Sequence, residues 1–513
     1  MDAKFAELIG AQYGWMEPSL ELGRAVYPPE TGQPQTLAEI DVRLPLALGN
    51  RHGLIAGATG TGKTRTLQVI AEQLSQNGVP VFLADIKGDL SGLAQPGAMN
   101  PKLQDRCNKL GINFLGKEFP VEYLSLTGKN GIPLRATVSS FGPILLSKVL
   151  GLNETQQSAL TMVFKFCDDR RLPLLDFSDL RAVLTHLTGD GAAELKTYGG
   201  LSTASTGVLL RKMVELETQG GDKFFGEPEF DPDDLLRTGP DGRGIISVLE
   251  IADLQDRPML FSTFMMWLLA ALYRDLPERG DVDKPILAFF FDEAHFLFED
   301  ASKAFLQQLE QVVRLIRSKG VGVYFVTQTP KDVDADVLAQ LGHRVQHALR
   351  AFTPNDAKAL KATVATFPIT KFYDLEETLT TLGIGEALIT VLDPRGVPTS
   401  PVVTVLRPPL SVMGPAAPDL IEKIIHSSPL HKKYGTPIDR ESARELLARK
   451  MADIPDDEPI EKSPPEEGGV FGAVAGVINS PLGRALGKEV VRGVFGLLGG
   501  TPTRRRRRRG ILW

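Results

Sequence analysis

Apolar residues follow two rhythms along this chain. Short, mainly apolar runs at Gly53–Ala56, Val79–Ala84, Gly244–Leu249, Ile286–Phe291 and Gly322–Thr327 are too short for helices and read as strands buried on both faces. Between them apolar positions recur every three or four residues. Leu67, Ile70, Ala71 and Leu74 share one helical face that stops at Asn77-Gly78, and the run Met259–Tyr273, bounded by Arg257 and Arg274, reads as a buried helix. A further helix is predicted from Ser302 to Lys319. Buried strands alternating with helices predict an α/β fold, a mostly parallel sheet with helices on both faces. From about Val138 to Arg237 the pattern is helical throughout, over Pro143–Leu150, Glu154–Asp168, Phe177–Leu187 and Leu209–Leu216. This predicts a helical insertion at about 138–240.

The two ends differ from the middle. The first 48 residues hold Pro/Gly-rich passages around short alternating segments such as Ile40-Asp41-Val42-Arg43-Leu44, a strand-rich preface too short for a full domain. Beyond Arg407 the composition shifts to proline, charge and glycine, with an acidic linker at Asp453–Gly469, a Gly/Ala/Val-rich stretch at Val470–Leu498 and six consecutive arginines, Arg504–Arg509. The expected organisation is a β-rich segment over 1–48, an α/β core over 49–410 that contains the insertion, and a low-complexity extension over 411–513. No internal repeat is present.

Composition narrows the class. The 513 residues are 42% apolar and 23% charged, and no stretch has the about 18 consecutive apolar residues of a membrane span, so no integral membrane segment is expected. Two cysteines, Cys107 and Cys167, exclude a disulfide framework and a four-cysteine zinc site. Met1–Gly14 lacks a basic stretch followed by an apolar one, so a cytoplasmic location is the expectation. The net charge is −6, and setting aside Arg504–Arg509 leaves −12 on everything else. An acidic body argues against a broad surface that passively coats nucleic acid, while leaving room for basic loops or a basic pore. The arginine run is able to neutralise several phosphates, or is simply a solvated tail.

The chemistry concentrates at the ends of the apolar runs. Gly57-Ala58-Thr59-Gly60-Thr61-Gly62-Lys63-Thr64 follows a strand and opens a helix, the context a phosphate-binding P-loop requires. Glycines let backbone N–H groups approach the phosphates, Lys63 reaches the β and γ oxygens, and the Thr64 hydroxyl is placed for Mg²⁺. Arg65 comes next and is counted with the nucleotide-binding stretch. The run Ile286–Phe291 ends in Asp292 and Glu293. Asp292 is assigned to the metal and Glu293 to the attacking water, a pairing that points to hydrolysis. His295 is a link to that pair or a helix cap. Gln328 closes another buried strand and either reads the γ-phosphate or is a turn residue before Pro330. Asp85, in Asp85-Ile86-Lys87-Gly88-Asp89, is catalytic support or a plain loop acid.

Taken together, the set resembles the HerA/FtsK superfamily of P-loop ATPases, specifically the bacterial HerA-like helicases of the YjgR kind. The matching stretches are Arg51–Thr64, Asp85–Asp89, Phe291–His295, Arg317–Gly322, Thr327–Pro330 and Leu382–Ala387, spread over about 50–410. The resemblance implies a RecA-like core, a homo-oligomeric and typically hexameric ring, and ATP hydrolysis at subunit interfaces that drives movement along double-stranded DNA. It also implies an arginine donated by a neighbouring subunit. Arg317 is the first choice, with Arg314, Arg344 and Arg350 in reserve. The family carries a longer N-terminal β-barrel than the 50 or so residues before this P-loop, and the helical insertion and tail are not general features of it.

Other readings are weaker or remain open. Asp292-Glu293-Ala294-His295 spells the signature of a different helicase group, but those enzymes need two RecA-like domains and a QRxGR-type motif, which is absent. A GTPase needs Asn-Lys-x-Asp, and Asn108-Lys109-Leu110-Gly111 lacks the acid, so ATP with Mg²⁺ is the expected cofactor pair. A secretion-coupling motor that moves protein and a slow, nucleotide-gated scaffold are the functional alternatives.

Overall fold

The computed structural model describes residues 3–15, 18–29, 33–298 and 303–452. The acidic linker, the Gly/Ala/Val stretch, the arginine run and Ser302 lie outside the described residues. One compact unit spans Met1–Ala448.

Twelve strands form one mixed sheet: β1 (Ser19–Tyr27), β2 (Gln35–Pro45), β3 (Gly53–Ala56), β4 (Val81–Asp85), β5 (Val121–Ser125), β6 (Ile132–Pro133), β7 (Ile246–Glu250), β8 (Leu287–Phe291), β9 (Val321–Thr327), β10 (His343–Gln346), β11 (Glu386–Thr390) and β12 (Val402–Leu406). Their spatial order is β2-β1-β12-β11-β10-β3-β9-β8-β4-β7-β5-β6. From β10 to β6 every pairing is parallel, as the apolar runs predict. The other four strands join antiparallel. The N-terminal hairpin β1–β2 is therefore the outer edge of the same sheet, and a helix at Ala3–Tyr13, which the sequence pattern did not suggest, braces it through the Tyr13 hydroxyl donating to the Ile389 and Ser400 carbonyls at 3.1 and 2.9 Å.

Alternate residues of each central strand feed opposite cores. Phe82, Phe289, Phe291, Val323 and Phe325 pack on one side with the buried helix Pro258–Asp275 and the insertion. Val81, Leu83, Phe290, Tyr324 and Val326 pack on the other with Leu67, Ile70 and Leu74 of the helix Lys63–Gln76. This two-faced burial is why the strands read as continuous apolar runs. No helix among the described residues is long and apolar enough to cross a membrane. Both cysteines are buried and unbridged.

The insertion is helical, over Val138–Val149, Glu154–Arg170, Phe177–Thr188 and Thr203–Leu216. Its first helix starts five residues before the expected Pro143 because Thr137 caps an initial turn, after which Gly142, at φ 67°, kinks the backbone ahead of the proline. Asn153 and Asp176 open the next two helices with capping boxes.

Gly322 on β9 is closely approached by a neighbouring backbone, and an added Cβ would lie 2.3 Å from the Gly49 carbonyl oxygen. Neither backbone has room to yield, so Gly322→Ala is expected to lower unfolding free energy by about 1–3 kcal/mol. Urea denaturation of the purified variant checks this.

Candidate functional site

Because β3, β9, β8 and β4 are neighbours and parallel, their carboxyl ends emerge along one edge, where α/β folds place ligands. The loops after Ala56, Thr327, Phe291 and Asp85 meet there. All the motifs on apolar-run ends thus converge, with the Gln328 strand lying between the P-loop strand and the Asp292 strand.

The P-loop is clamped from its flanks. The Gly57 N–H donates to the Thr327 and Gln328 carbonyls, Ala58 N–H to the Ala348 carbonyl at 2.8 Å, and Gly385 N–H to the Thr61 carbonyl at 2.9 Å. Gly57, at φ 154°, passes so close to His347 that a Cβ would sit 2.4 Å from the histidine Cβ. Gly60, at φ 79°, has open space where a side chain would be, the room a phosphate needs. Gly62 provides no side-chain cap for the helix it opens, so the first-turn amides face the loop. Thr59 lies in the turn itself and Thr64 in the first turn of the helix Lys63–Gln76. Arg65 leans away from it, donating to the Met413 carbonyl at 2.8 Å and to Gln68 at 3.2 Å.

Lys63 is buried and its ammonium donates to the Ala58 carbonyl at 3.3 Å. Burial lowers its pKa, opposed by the attraction of Glu293, Asp292 and Asp332. Asp292 is 2% exposed. Its Oδ1 accepts the Glu293 N–H at 3.0 Å and its Oδ2 has no hydrogen-bond partner. Burial, then repulsion from Glu293, pushes its pKa up to about 7. Glu293 is held in the left-handed region at φ 48°, a conformation that costs a non-glycine residue about 1–3 kcal/mol. The Ala294 N–H donating to the Val326 carbonyl at 2.8 Å fixes the turn. The Glu293 carboxylate pairs with Lys87 through Oε1 and lies 3.5 Å from His295 Nδ1 through Oε2. His295 is therefore a direct neighbour of the acidic pair. Burial opposes the charge on Lys87, yet the hydrogen bond to Glu293 and the attraction of Glu293, Asp292 and Asp89 outweigh it and raise its pKa.

Gln328 is exposed at the end of β9, beside the Gly57 backbone. Arg317 is elsewhere. It sits in the short turn Arg317–Lys319 before β9 begins, at the opposite end of a seven-residue strand that is about 20 Å long, and it is exposed. Within one chain it does not reach the P-loop. Arg314 and Arg350 are exposed, and Arg344 is half-buried on β10.

Lys87, Asp89, Glu250 and His347 join the site although no motif in the sequence gives any of them a role. Asp85 organises their neighbourhood by accepting the N–H groups of Lys87, Gly88 and Leu90 at 3.1, 2.8 and 2.8 Å. Burial drives the Asp85 pKa up to about 6. Glu250 pairs in register with Asp85 across β4 and β7, and burial together with Asp85, Asp253 and Asp89 pushes its pKa up to about 8. His347 accepts from, or donates to, the Thr66 hydroxyl at 2.9 Å, and its pKa falls to about 3 through burial and then the nearby Lys63. The acids share one signal in the sequence, charged residues immediately after buried strands.

This edge, with its P-loop, its strand-end acids and its polar strand between them, defines a RecA-like P-loop NTPase fold. The model of the family described as "Helicase HerA-like C-terminal" matches residues 30–495, and the chain belongs to that family. The DNA double-strand break repair helicase HerA of Saccharolobus solfataricus is 23% identical over 362 residues, covering 68% of this chain and 63% of that protein. Its namesake in Sulfolobus acidocaldarius is 21% identical over 378 residues, covering 69% and 64%. The chain thus spans somewhat less than two thirds of the length of these relatives. A solved structure of the bacterial conjugative coupling protein TrwBdeltaN70 aligns over 79% of this chain and 100% of its own at 16% identity, with a TM-score of 0.48.

The buried acids give the stability a definite pH dependence. Glu250 protonates near 8 when folded and near 4.5 when unfolded, and Asp292 near 7 rather than 3.8. Inside those windows the folded chain binds more protons, so stability falls as pH rises. His52, His343 and His347, lowered to about 4, 4 and 3 by burial, act with the opposite sign but only below their unfolded value of 6.5. Without nucleotide or divalent cations, the thermal midpoint is expected to fall between about pH 6.5 and 8.5, and Glu250→Gln should remove much of that slope. Differential scanning calorimetry at several pH values is the measurement.

Proposed function

We propose that this chain is an ATP-hydrolysing motor that assembles as a ring, typically a hexamer, and moves along double-stranded DNA in the cytoplasm. The observation that carries the reading is the convergence of the Gly57–Thr64 loop, Lys63, Asp292 and Glu293 on one edge of the sheet, close enough for the two carboxylates to act on the Lys63 ammonium. Family membership and the likeness to proteins named as DNA repair helicases support the DNA part.

In this reading the loop amides and Lys63 bind the phosphates. A water attacks the γ-phosphorus, Glu293 accepts the water's proton, and ADP and phosphate leave. Lys87 occupies only Oε1 of Glu293, so Oε2, buried without a hydrogen-bond partner, is the oxygen free to take the water proton. Gln328 faces the γ-phosphate region and contacts the attacking water or the phosphate. The donor set suits a hard divalent cation: a threonine hydroxyl at Thr64 and a buried carboxylate at Asp292 with one oxygen unpartnered. Bound Mg²⁺ supplies neutralisation of phosphate charge there. Arg317, exposed and remote from its own P-loop, is suited to serve the site of a neighbouring subunit.

Lys63→Ala is expected to abolish ATP turnover by loss of nucleotide binding. Glu293→Gln should keep nucleotide bound while lowering turnover about 10²–10⁴-fold. Duplex DNA should stimulate the unaltered protein, and mass measurement with nucleotide should return a hexamer. Indifference to DNA combined with recovery in the membrane fraction would favour a protein-moving motor instead. Steady-state phosphate release and filter binding of labelled ATP read all of these rates.

A further inference from the structure

We propose that Asp85, Asp89 and Asp292 form a divalent-cation site that fills before any nucleotide arrives. One carboxylate oxygen from each lies within 4.8 Å of the others. Donors on opposite sides of an ion at about 2.1–2.4 Å are roughly 4–5 Å apart, so this spacing brackets a Mg²⁺- to Ca²⁺-sized cation with water completing the shell. Among the described residues no other three His, Cys, Asp or Glu side chains come together in this way.

The second observation is the state of the oxygens. Asp292 is 2% exposed, and its Oδ2 is buried without a hydrogen-bond partner. Asp89 Oδ1 is likewise buried and unpartnered. Asp85 uses three of its roughly four acceptor positions on backbone N–H groups and keeps one. Unsatisfied buried carboxylate oxygens are costly, and a metal ion is one of the few groups that satisfies several together. The nearby cations are committed elsewhere. Lys87 is paired with Glu293, Lys63 donates to the Ala58 carbonyl, and Arg65 donates to Met413 and Gln68. Glu250, whose Oε1 is also buried and unpartnered, adds a further acid beside Asp85 and Asp89. Asp89 is half-buried, which leaves an entry path from solvent.

The inference rests on the reading of Asp292 as a metal ligand, but it requires neither the triphosphate nor its hydrolysis. It gives the Asp85–Asp89 loop a role of its own, which is to hold the cation on the side of the site away from the P-loop threonine.

Mn²⁺ takes the same oxygen ligands as Mg²⁺ and is paramagnetic. Titration of the full chain with Mn²⁺, free of nucleotide and followed by electron paramagnetic resonance, should show one saturable site per chain that Mg²⁺ displaces. Asp89→Asn should weaken it by about tenfold or more, while Lys63→Ala and Thr64→Ala leave it unchanged. Asp89 is chosen over Asp85 because its side chain does not hold the loop together, and unchanged thermal unfolding of the apo variant verifies that it folds. Absence of Mn²⁺ binding without nucleotide, equal binding by Asp89→Asn and the parent, or equal weakening by Thr64→Ala would each overturn the site. ATP turnover that depends on Lys63, in a protein that binds no Mn²⁺ alone, would sink this inference and leave the motor reading standing. Mn²⁺ binding in a protein with no turnover under any condition would do the reverse.

Discussion

Negative charge that is buried and only partly balanced governs this molecule. Asp85 and Glu250 end their strands and Asp292 and Glu293 follow directly on theirs, so all four are drawn to the sheet's carboxyl edge, and two carboxylates about 5 Å apart repel by roughly 3 kcal/mol at an effective dielectric near 20. The fold tolerates this because three backbone amides donate to Asp85, an ammonium answers Glu293, and the aromatic strands beneath are too tightly packed to give way. Phe290 stacks on Tyr324 at 4.7 Å between ring centres, and Phe291 on Phe325 at 5.4 Å. A rigid apolar floor therefore carries a strained and charged rim, the division of labour expected where chemistry is done.

Much of that rim was legible in the sequence, for a physical reason. A strand buried on both faces has to be apolar throughout, so the first polar residue after it marks the edge of the sheet. Asp85, Asp292 and Gln328 all stand out in this way. The grouping of Asp89 with Asp292, and of Glu250 with Asp85, was not legible, because it arises from β4 lying between β7 and β8, and no linear spacing encodes strand order. Lys87 and His347 were hidden for the same reason. A lysine in a Gly/Asp loop looks solvated until the neighbouring strand brings Glu293 to it.

The antiparallel half of the sheet was harder to read than the parallel half. Val402–Leu406 is apolar, but β1 and β2 alternate weakly and carry register shifts at Glu21/Gly23 and Arg24/Val26, so they resemble a separate preface. The ion pair of Arg407 with Glu21 ties the hairpin to the residues after β12, while Arg43 pairs with Asp41 at 2.8 Å within β2 itself. Arg317 is the opposite case. Its place before β9 is plain in the sequence, yet its distance from its own P-loop emerges only when the strand is laid out.

Composition puts the end of the core near residue 410, but the P-loop helix does not stop there. Glu72, buried in the middle of that helix, accepts the backbone N–H groups of Leu410 and Ser411 at 2.7 and 2.9 Å, and Gln68 donates to the Ser411 hydroxyl and the Val412 carbonyl at 2.6 and 2.9 Å. A polypeptide truncated at the compositional boundary would strand a carboxylate and an amide in an apolar groove, at about 1–3 kcal/mol for each orphaned group. Anyone trimming this protein to a minimal catalytic fragment would be cutting through the brace of the helix that grips the phosphates.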